Sequence, residues 1–498
     1  MIGIIIKKEI LDNLLSHKFL FIFILCSVLI LFSIYIGAAD YVESKKEYDA
    51  NVAALNARMQ PPTTYAFFSE RLGYRVYRPP QILRTIVAGI EDAAGRASYP
   101  NLQYENNLAE SKHENNTIFT LFGSLDLMFA IKFILSLCAI FLAYDTVSGE
   151  KEKSTLKLML SNSVSRHQLI SGKIIGNYLS ILLFFLVPLL MGLILLLLFP
   201  GISFTGGDWL RLLFIFIMFL LYVSVFFALG IFISTVTVRS STSFLILLFI
   251  WLALVTVIPG ASVVVAEHLR PAPSSSMLAS QKGLAGYQIQ QDINEESSKK
   301  RSEFSQRDKE LTMKGLELQR LSKESPHRYQ EELEKIQEEF AKLNEESMKI
   351  TAGFQQELDD RVAANNAKVN RDYQLKKDAQ RNFAKNLSRI SPATALTFGS
   401  MTLARTGTDE YDRFVAATRA YRPIYRSFRT RVSTDSDFRD PQTGYKQIDV
   451  NIIPQFPFVP ESLGESLART LPDFALMAAM TILLLTGAFF AFLRYDVR

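Results

Sequence analysis

This sequence contains few of the residue patterns that carry catalysis or metal binding. One glycine-lysine dipeptide comes nearest to a phosphate-binding loop. Gly172-Lys173-Ile174 lacks both the upstream glycine and the Ser or Thr of that loop. No nucleophile-elbow pattern occurs. The sequence therefore predicts that the chain does not hydrolyse nucleotide itself and contains no metal site. The cysteines and histidines are scattered without the spacing of metal ligands: Cys26, Cys138, His17, His113, His167, His268 and His327.

A charged segment, residues 144–176, lies between two long apolar runs. It is the part of the chain best suited to transmit a conformational change from a partner protein. Within it, Glu150–Leu160 has the residue pattern of a helix with one apolar patch and a charged rim. Such a patch can dock in a groove on a soluble protein or rest on lipid headgroups, and the spacing favours neither. The apolar positions are Leu156, Leu158, Met159 and Leu160, and the charged ones are Glu150, Lys151, Glu152, Lys153 and Lys157.

Charged residues inside apolar runs are the next candidates for function. Asp126 and Lys132 share one run, and Asp473 begins another. A charge at the centre of a bilayer costs about 2.5–3.5 kcal/mol on insertion scales. We therefore expect Asp126 and Asp473 near the outer interface, and Lys132 deeper, where it can pair with Asp126 across nearly two helical turns. A role in a substrate path is the alternative.

Long apolar runs decide the class of protein. Hydrophobic residues make up 49% of the 498 positions, and they are concentrated in stretches too long for the core of a soluble domain. The sequence predicts an all-α polytopic membrane protein with six transmembrane helices. These spans are Phe19–Ala39, Phe122–Ala143, Asn177–Phe199, Trp209–Thr235, Phe244–Val265 and Phe474–Phe492.

Lysines and arginines beside the spans predict the orientation, since positively charged flanks resist translocation. They precede the first span, fill the second and fourth connections, and follow the last span. Both termini and residues 144–176 are thus predicted to be cytosolic, and residues 40–121 and 266–472 exported. The exported parts contain no cysteine, so packing alone must stabilise them. The net charge of +5 is spread over both faces, which argues against nucleic acid as a partner.

Two smaller elements adjoin the first span. Residues 1–18 segregate apolar and charged side chains as an interfacial helix on the inner leaflet does; an ordinary charged flank is the alternative. The helix of the first span should continue outside the membrane until Pro61-Pro62 ends it. An aromatic-rich stretch follows, which we interpret as the core of a small exported subdomain rather than a ligand site: Tyr65, Phe67, Phe68, Tyr74 and Tyr77.

The larger exported region contains a predicted helical hairpin at about residues 281–387. Its second arm repeats apolar residues at steps of three and four, which indicates a coiled-coil seam, with one skipped site at Ser347. Ser325-Pro326-His327 separates the two arms. Two shorter helices should follow, at Ala393–Arg405 and from Thr408 to about Arg431, and then a possible strand at Tyr445–Ile453. The seam of the second arm is Leu333, Ile336, Phe340, Leu343, Ile350 and Phe354, and that of the first is Phe304, Leu311, Leu318 and Leu321.

Several short motifs, taken in order, resemble those of ABC-2 type permeases, and within them the branch of gliding-motility and copper-site-maturation permeases. After the second span stand Tyr144-Asp145, Glu150, Ser154-Thr155-Leu156, Leu160, Ser161, Arg166 and Gly172-Lys173. The others are IIKKEILDNLLSHKF near the N-terminus, LSRISPATAL and LARTGTDEYDRF at Leu387–Leu396 and Leu403–Phe414, and the closing FLRYDVR. The resemblance covers the membrane portion and its flanks but not the hairpin.

This resemblance implies a six-span permease of the bacterial inner membrane that pairs with a second permease copy, as a homodimer or a related heterodimer, and with two copies of a separate ABC ATPase. ATP and magnesium would then belong to that ATPase, and this chain would need no cofactor. Residues 1–18 would be the elbow helix and Glu150–Leu160 the coupling helix. The residues implied in coupling are Asp145, Glu150, Thr155, Leu156, Leu160, Arg166 and Lys173; of these, Leu156 and Leu160 would fill a groove on the ATPase, while Glu150 and Arg166 would orient the segment by ion pairing.

One departure concerns the coupling helix. The family often has Gly-Thr where this chain has Ser154-Thr155, and serine in place of glycine favours a continuous helix there.

Three functions remain open at this stage. The leading hypothesis is export of a lipid, glycan or peptide; the second is mechanical transmission through the hairpin to an exported or outer-membrane partner. The third is a membrane scaffold without energy coupling. The very apolar third span mildly favours membrane lipid as cargo, or force transmission.

Overall fold

The protein is almost entirely helical. The computed structural model describes residues 2–59, 63–64, 74–91, 93–99, 126–161, 165–321, 326–434, 447–448 and 450–495. Within these residues the only strands are four of two residues each, β1 (Thr63–Thr64), β2 (Val76–Tyr77), β3 (Ala97–Ser98) and β4 (Gln447–Ile448), which pair antiparallel as β1 with β4 and β2 with β3. The all-α prediction is confirmed. The helices are α1 (Ile2–Leu14), α2 (His17–Arg58), α3 (residues 127–143), α4 (Ser148–Glu152), α5 (Thr155–Ser161), α6 (Arg166–Leu198), α7 (Gly206–Val236), α8 (Ser240–Leu269), α9 (Ser275–Leu321), α10 (Pro326–Ser388), α11 (Pro392–Ala404), α12 (Thr408–Thr434) and α13 (Leu463–Leu493).

Six helices in the described part of the chain are long and apolar enough to cross a membrane, which confirms the predicted number of spans. They are α2, α3 with its continuation into α4, α6, α7, α8 and α13. The first continues well past its apolar run, to Arg58, as Pro61-Pro62 predicted. Its N-cap is Ser16, whose hydroxyl accepts a hydrogen bond from the backbone amide of Phe19.

The central helix of the membrane portion is α7, the most buried of the six. It packs against α3, α11 and α13. Aromatic side chains such as Phe219, Tyr222 and Phe226 are fully buried along it. Gly230 allows α3 to come close, because a Cβ at this position would lie 2.5 Å from the Cβ of Ala143. This close packing makes α7 the element against which the other spans are positioned.

A π-helical turn interrupts α3 at Ala130–Leu135, and side chains compensate for the hydrogen bonds that it displaces. The hydroxyl of Tyr222 donates to the carbonyl of Lys132 at 2.7 Å. Ser136 Oγ donates to the same carbonyl at 2.7 Å and accepts from the indole N–H of Trp251 at 2.8 Å. Backbone polar groups within a membrane need such partners, because lipid supplies none.

The chain forms two compact units, and the first comprises Met1–Gly260 and Ser388–Arg498. Its non-membrane part has an aromatic core on α12, where Phe414, Tyr421 and Tyr425 are fully buried. Tyr74 stacks on Tyr425 with ring centroids 5.0 Å apart, as expected for an aromatic core. Tyr77 lies in β2 and is partly buried, and the other predicted core residues, Tyr65, Phe67 and Phe68, lie outside the described residues.

Two glycines permit close backbone contacts within this unit. At Gly37 a Cβ would lie 2.3 Å from the carbonyl oxygen of Thr85, so the helix α2 and the segment after β2 meet through this glycine. Gly89 has a φ of +62°, which side chains rarely adopt, and a Cβ there would clash with Thr406. Ile90 donates its amide to the carbonyl of Thr406 at 3.0 Å. The two regions predicted to be exported are therefore joined by direct packing.

The second unit, Ala261–Leu387, contains the hairpin of α9 and most of α10. Arg307 pairs with Glu346 at 3.6 Å and Glu296 with Arg361 at 3.8 Å, so residue numbers rise along one arm as they fall along the other. The predicted antiparallel hairpin is thus confirmed. The predicted seam residues whose side chains the structure describes are buried or partly buried, with Leu311, Leu318 and Ile336 buried, and the side chain of Leu321 lies outside the described residues. At 1.5 Å per residue the 63 residues of α10 extend about 95 Å.

Candidate functional site

The charged segment between α3 and α6 folds as two short helices with a sharp break between them. Ser148–Glu152 forms α4 and Thr155–Ser161 forms α5. At the break Ser154 has a φ of +59°, in the left-handed region that an L-residue enters at a cost of about 1–2 kcal/mol. The expectation that serine favours a continuous helix here is therefore wrong. Tertiary contacts on both sides of the kink stabilise it, although the residue at the kink is not a glycine.

The first of these contacts attaches α4 to the end of α7. Ser234 Oγ on α7 accepts hydrogen bonds from the backbone amides of Val147 and Ser148, each at 3.0 Å. These amides belong to the start of α4, where helical N–H groups have no partner within the helix. Ser234 therefore acts as a cap supplied by a different helix, and the position of α4 follows that of α7.

Lys151 makes a second contact between α4 and α7. Its ammonium donates to the carbonyl of Thr237 at 3.1 Å and to that of Thr235, and lies 4.5 Å from the centroid of the Tyr495 ring. The last carbonyls of a helix are unpaired and carry partial negative charge, which favours a cation there. The sequence pattern placed Lys151 on a charged rim, whereas the structure buries it.

The apolar side of α5 faces the interior of this chain. Leu156 is 1% exposed and belongs to a cluster with Val147, Leu169 and Phe492. It therefore cannot fill a groove on a partner, as the resemblance implied, without unfolding the segment. The apolar residue of α5 that reaches the surface is Leu158, which is 68% exposed. The side chain of Leu160 lies outside the described residues.

Lys173 is the electrostatic centre of the site. Its ammonium lies 2.6 Å from a carboxylate oxygen of Glu150 on α4 and 2.8 Å from one of Glu9 on α1. The lysine side chain is 2% exposed, and the two carboxylates are 20% and 13% exposed. The side-chain amide of Asn177 donates a hydrogen bond to the other carboxylate oxygen of Glu9 at 3.1 Å. The side-chain carbonyl oxygen of Asn177 accepts one from the side-chain amide of Asn13 at 2.8 Å. One buried cation thus joins α1, α4 and α6.

Two glycines of α6 permit this arrangement. A Cβ at Gly172 would lie 2.7 Å from Ile5, and one at Gly176 would lie 2.7 Å from the Cβ of Glu9. Helix α1 therefore rests directly on α6, with Glu9 placed above Lys173. No residue of α1 is itself buried, and Ile4 is 70% exposed. An apolar surface of this kind fits the predicted interfacial helix, which stays a prediction.

The remaining residues implied in coupling attach the segment to its neighbours. Asp145 pairs with Lys18 at the start of α2, at 3.2 Å. Thr155 donates its hydroxyl to the carbonyl of Glu150 at 3.3 Å across the kink. Arg166 donates to the carbonyls of Leu493 and Tyr495, at 3.0 and 2.9 Å, at the end of α13. Arg166 thus has carbonyl partners on α13, while the ion pair of Glu150 is with Lys173.

The structure also locates the charged residues predicted inside or beside the spans. Asp126 caps α3 by accepting from the amide of Phe129 at 2.8 Å, and it accepts from that of Ala88 at 3.1 Å. The ammonium of Lys132 lies 5.1 Å from the centroid of the Phe133 ring. The proposed charge pair of Asp126 with Lys132 stays a prediction.

Asp473, on α13, forms a buried ion pair within the protein. It is 1% exposed and accepts from Arg389 in the connection between α10 and α11, with contacts of 2.9 and 3.3 Å to its two carboxylate oxygens. Ser391 in the same connection donates to the carbonyl of Leu254 on α8. The connection that follows the hairpin is thus held to two spans.

Sequence reasoning missed three residues of the site, Glu9, Lys151 and Ser234. Glu9 was noted only as part of an amphipathic pattern, and a serine inside a span carries no signal. The described residues include no group of three or more His, Cys, Asp or Glu that could hold a metal ion. What the arrangement can do is mechanical: α4 is joined by polar contacts to α1 and α6 through Lys173 and to α7 through Ser234 and Lys151, so displacement of α4 would move the adjacent ends of these helices together.

Comparison with known proteins agrees with this architecture. A family model described as ABC-2 family transporter protein matches residues 4–497, nearly the whole chain. No curated protein matches the sequence.

Proposed function

Since the chain belongs to the ABC-2 family of transporter proteins, we propose that it is the permease subunit of an ABC transporter and that α4 and α5 are its contact with a separate ATPase. Hydrolysis of ATP by two copies of that ATPase would drive a pair of permease chains in the inner membrane, with both termini cytosolic. Magnesium and ATP bind to the ATPase in this proposal, and the permease contributes positioning alone.

The observation that carries the proposal is the contrast between the two faces of α4 and α5. The inner face is joined to α7 through Ser234 and Lys151, to α1 and α6 through Lys173, and to α13 through Leu156. The outer face presents Lys153, Lys157 and Leu158, all exposed, and Glu152, which accepts a hydrogen bond from the amide of Ser240 at the start of α8. One apolar residue within a charged rim is the pattern of a short helix that docks in a groove. Force applied at this face would reach the spans through buried contacts rather than through a flexible loop.

The experiment that tests the docking face is co-purification with a candidate ATPase, together with measurement of ATPase stimulation in liposomes. Leu158→Asp should abolish both, because a carboxylate would replace the apolar contact. The matched control is Leu316→Asp on α9, where the leucine is similarly exposed, at 54%. Unchanged assembly of Leu158→Asp would remove α5 from the interface. Loss of assembly in both variants would point to general misfolding.

The substrate is proposed as a lipid, glycan or peptide moved outward. The spans support a lipidic cargo more than a polar one, since the buried face of α6 offers few polar groups beyond the Lys173 site, such as Ser180. Transport of fluorescent lipid across liposomes, compared with transport of a labelled oligosaccharide, distinguishes these classes.

Mechanical transmission is the second candidate, and one observation favours it. Helix α10 runs without interruption to Ser388, and the next residues are held to α13 and α8 by Arg389 and Ser391. Movement of those spans would be passed to the base of a helix about 95 Å long. Replacement of residues 281–387 by a short linker tests this candidate: retained biological activity in the deleted protein would refute force transmission and leave substrate export.

A further inference from the structure

The two cysteines of this chain lie side by side within the membrane portion. Cys26 on α2 and Cys138 on α3 are separated by 112 positions, and their sulfur atoms are 3.5 Å apart. Both are free thiols. Cys26 is fully buried, whereas Cys138 is partly exposed on the surface of an apolar span.

This meeting is unlikely to arise by chance. A buried side chain contacts about 6–12 others, so the only two cysteines among 498 residues would touch in about one of fifty random placements. A weak S–H to sulfur hydrogen bond is the plain structural explanation. What distinguishes two thiols in contact is that they can be oxidised to a disulfide, whose sulfurs lie about 2.05 Å apart.

We propose that Cys26 and Cys138 are a redox-sensitive pair that lipid hydroperoxides oxidise to a disulfide, joining the first two spans covalently. Lipid hydroperoxides are the oxidant class that the position selects, because Cys26 is buried and Cys138 lies on a span that is apolar enough to cross a membrane.

The order of the reaction follows from exposure. The sulfur of Cys138 attacks the terminal oxygen of the hydroperoxide, the O–O bond breaks, and a lipid alcohol leaves with a sulfenic acid remaining on Cys138. The sulfur of Cys26 then attacks that of Cys138, the S–O bond breaks, and water is released. In sum, two thiols and one hydroperoxide give one disulfide, one alcohol and one water; the sulfurs lose two electrons, and the peroxide gains them.

The test uses the full chain in phosphatidylcholine liposomes with or without phosphatidylcholine hydroperoxide. Peroxidised lipid should lower the intact mass by two hydrogens and remove both maleimide-reactive thiols of the denatured protein, and dithiothreitol should restore them. Thermal unfolding should shift to higher temperature on oxidation and return on reduction, because the disulfide closes a long loop of the unfolded chain.

Two single variants test the order of attack. Cys26→Ser should stop at the sulfenic acid on Cys138, which dimedone traps, whereas Cys138→Ser should leave the Cys26 thiol intact. The same peroxidised lipid is given to Cys26→Ser and to the chain without substitutions. If the variant gives the dimedone adduct while the original chain keeps two thiols that can be alkylated, the proposal is overturned. A disulfide between two chains in place of the internal one would also overturn it. Neither result depends on the identity of the ATPase or the substrate.

Discussion

Replacement of Lys173 offers the most direct test of the proposed coupling site. Lys173→Met keeps much of the side-chain volume but leaves the carboxylates of Glu9 and Glu150 facing each other without the cation between them. Loss of one partner from a buried ion pair costs about 3–5 kcal/mol. Both carboxylates retain some exposure, so the lower end, about 3 kcal/mol, applies here. Since about 1.4 kcal/mol is tenfold in an equilibrium constant, local opening of α1 from α6 should become about 100-fold more frequent.

Hydrogen exchange measured by mass spectrometry reports that opening. The amides of α1 and α4 should lose about 100-fold in protection in Lys173→Met, while those of α7 stay protected. ATPase stimulation should fall in parallel, because α4 would no longer move with α1 and α6. Lys157→Met is the matched control for hydrogen exchange alone, since this lysine is exposed on α5 but lies on the proposed docking face.

A triple variant separates charge from packing. Glu9→Gln, Glu150→Gln and Lys173→Met together remove both the cation and the uncompensated carboxylates, so much of the protection should return. The reasoning is refuted if Lys173→Met exchanges no faster than Lys157→Met. It is equally refuted if the triple variant exchanges as fast as the single one, because the loss would then come from the missing lysine side chain itself.

Three further predictions concern separate parts of the chain. Ser154→Gly should relieve about 1 kcal/mol of backbone strain and raise protection of α5, whereas Ser154→Val should lower it; equal exchange in both variants would contradict the strained kink. Burial raises the pKa of the carboxyls of Glu410 and Glu461 above the ordinary value of 4.5. Because the folded state then binds more protons than the unfolded state at pH values above 4.5, the free energy of unfolding should decrease as pH rises from 4.5 through the folded pKa values. Thermal unfolding at several pH values checks this, and Glu410→Gln should flatten the dependence; a stability that rises with pH and is insensitive to Glu410→Gln would oppose it. Gly37→Val should separate α2 from Thr85, since even a Cβ clashes there, and should lower the yield of folded protein; Gly260→Val, at a position with open space, is its control.

The membrane architecture follows from local properties of the sequence. Whether a stretch crosses the membrane depends on its length and hydropathy, and neither requires knowledge of a partner. The hairpin was equally predictable, because Ile336, Phe340 and Leu343 repeat at the helical period and Pro326 marks the start of the second arm. In both cases the prediction rests on a pattern of residues that lie close together along the chain.

The proposed coupling site was predictable as a segment but not in its details. The charged run predicted one helix at Glu150–Leu160, where the structure has α4 and α5, and it gave no reason to bury Lys151. The resemblance implied that Leu156 fills a groove on a partner, whereas the structure places it in the interior. An amphipathic period identifies two faces of a helix. It does not say which surface the apolar face will cover when both a partner and the rest of the chain could do so.

The sequence by itself determined the number of spans, the hairpin and the absence of a phosphate-binding loop, since each depends on residue types within a short window. Tertiary structure alone decided that Lys173 meets Glu9 and Glu150, that Ser234 caps α4, that Cys26 touches Cys138, and that Ser154 bends the coupling segment. Lys173, for example, lies 23 positions along the chain from Glu150 and 164 positions from Glu9. Packing of the helices selects these contacts, and local propensity at Ser154 yields to that packing because several buried contacts outweigh about 1–2 kcal/mol of backbone strain.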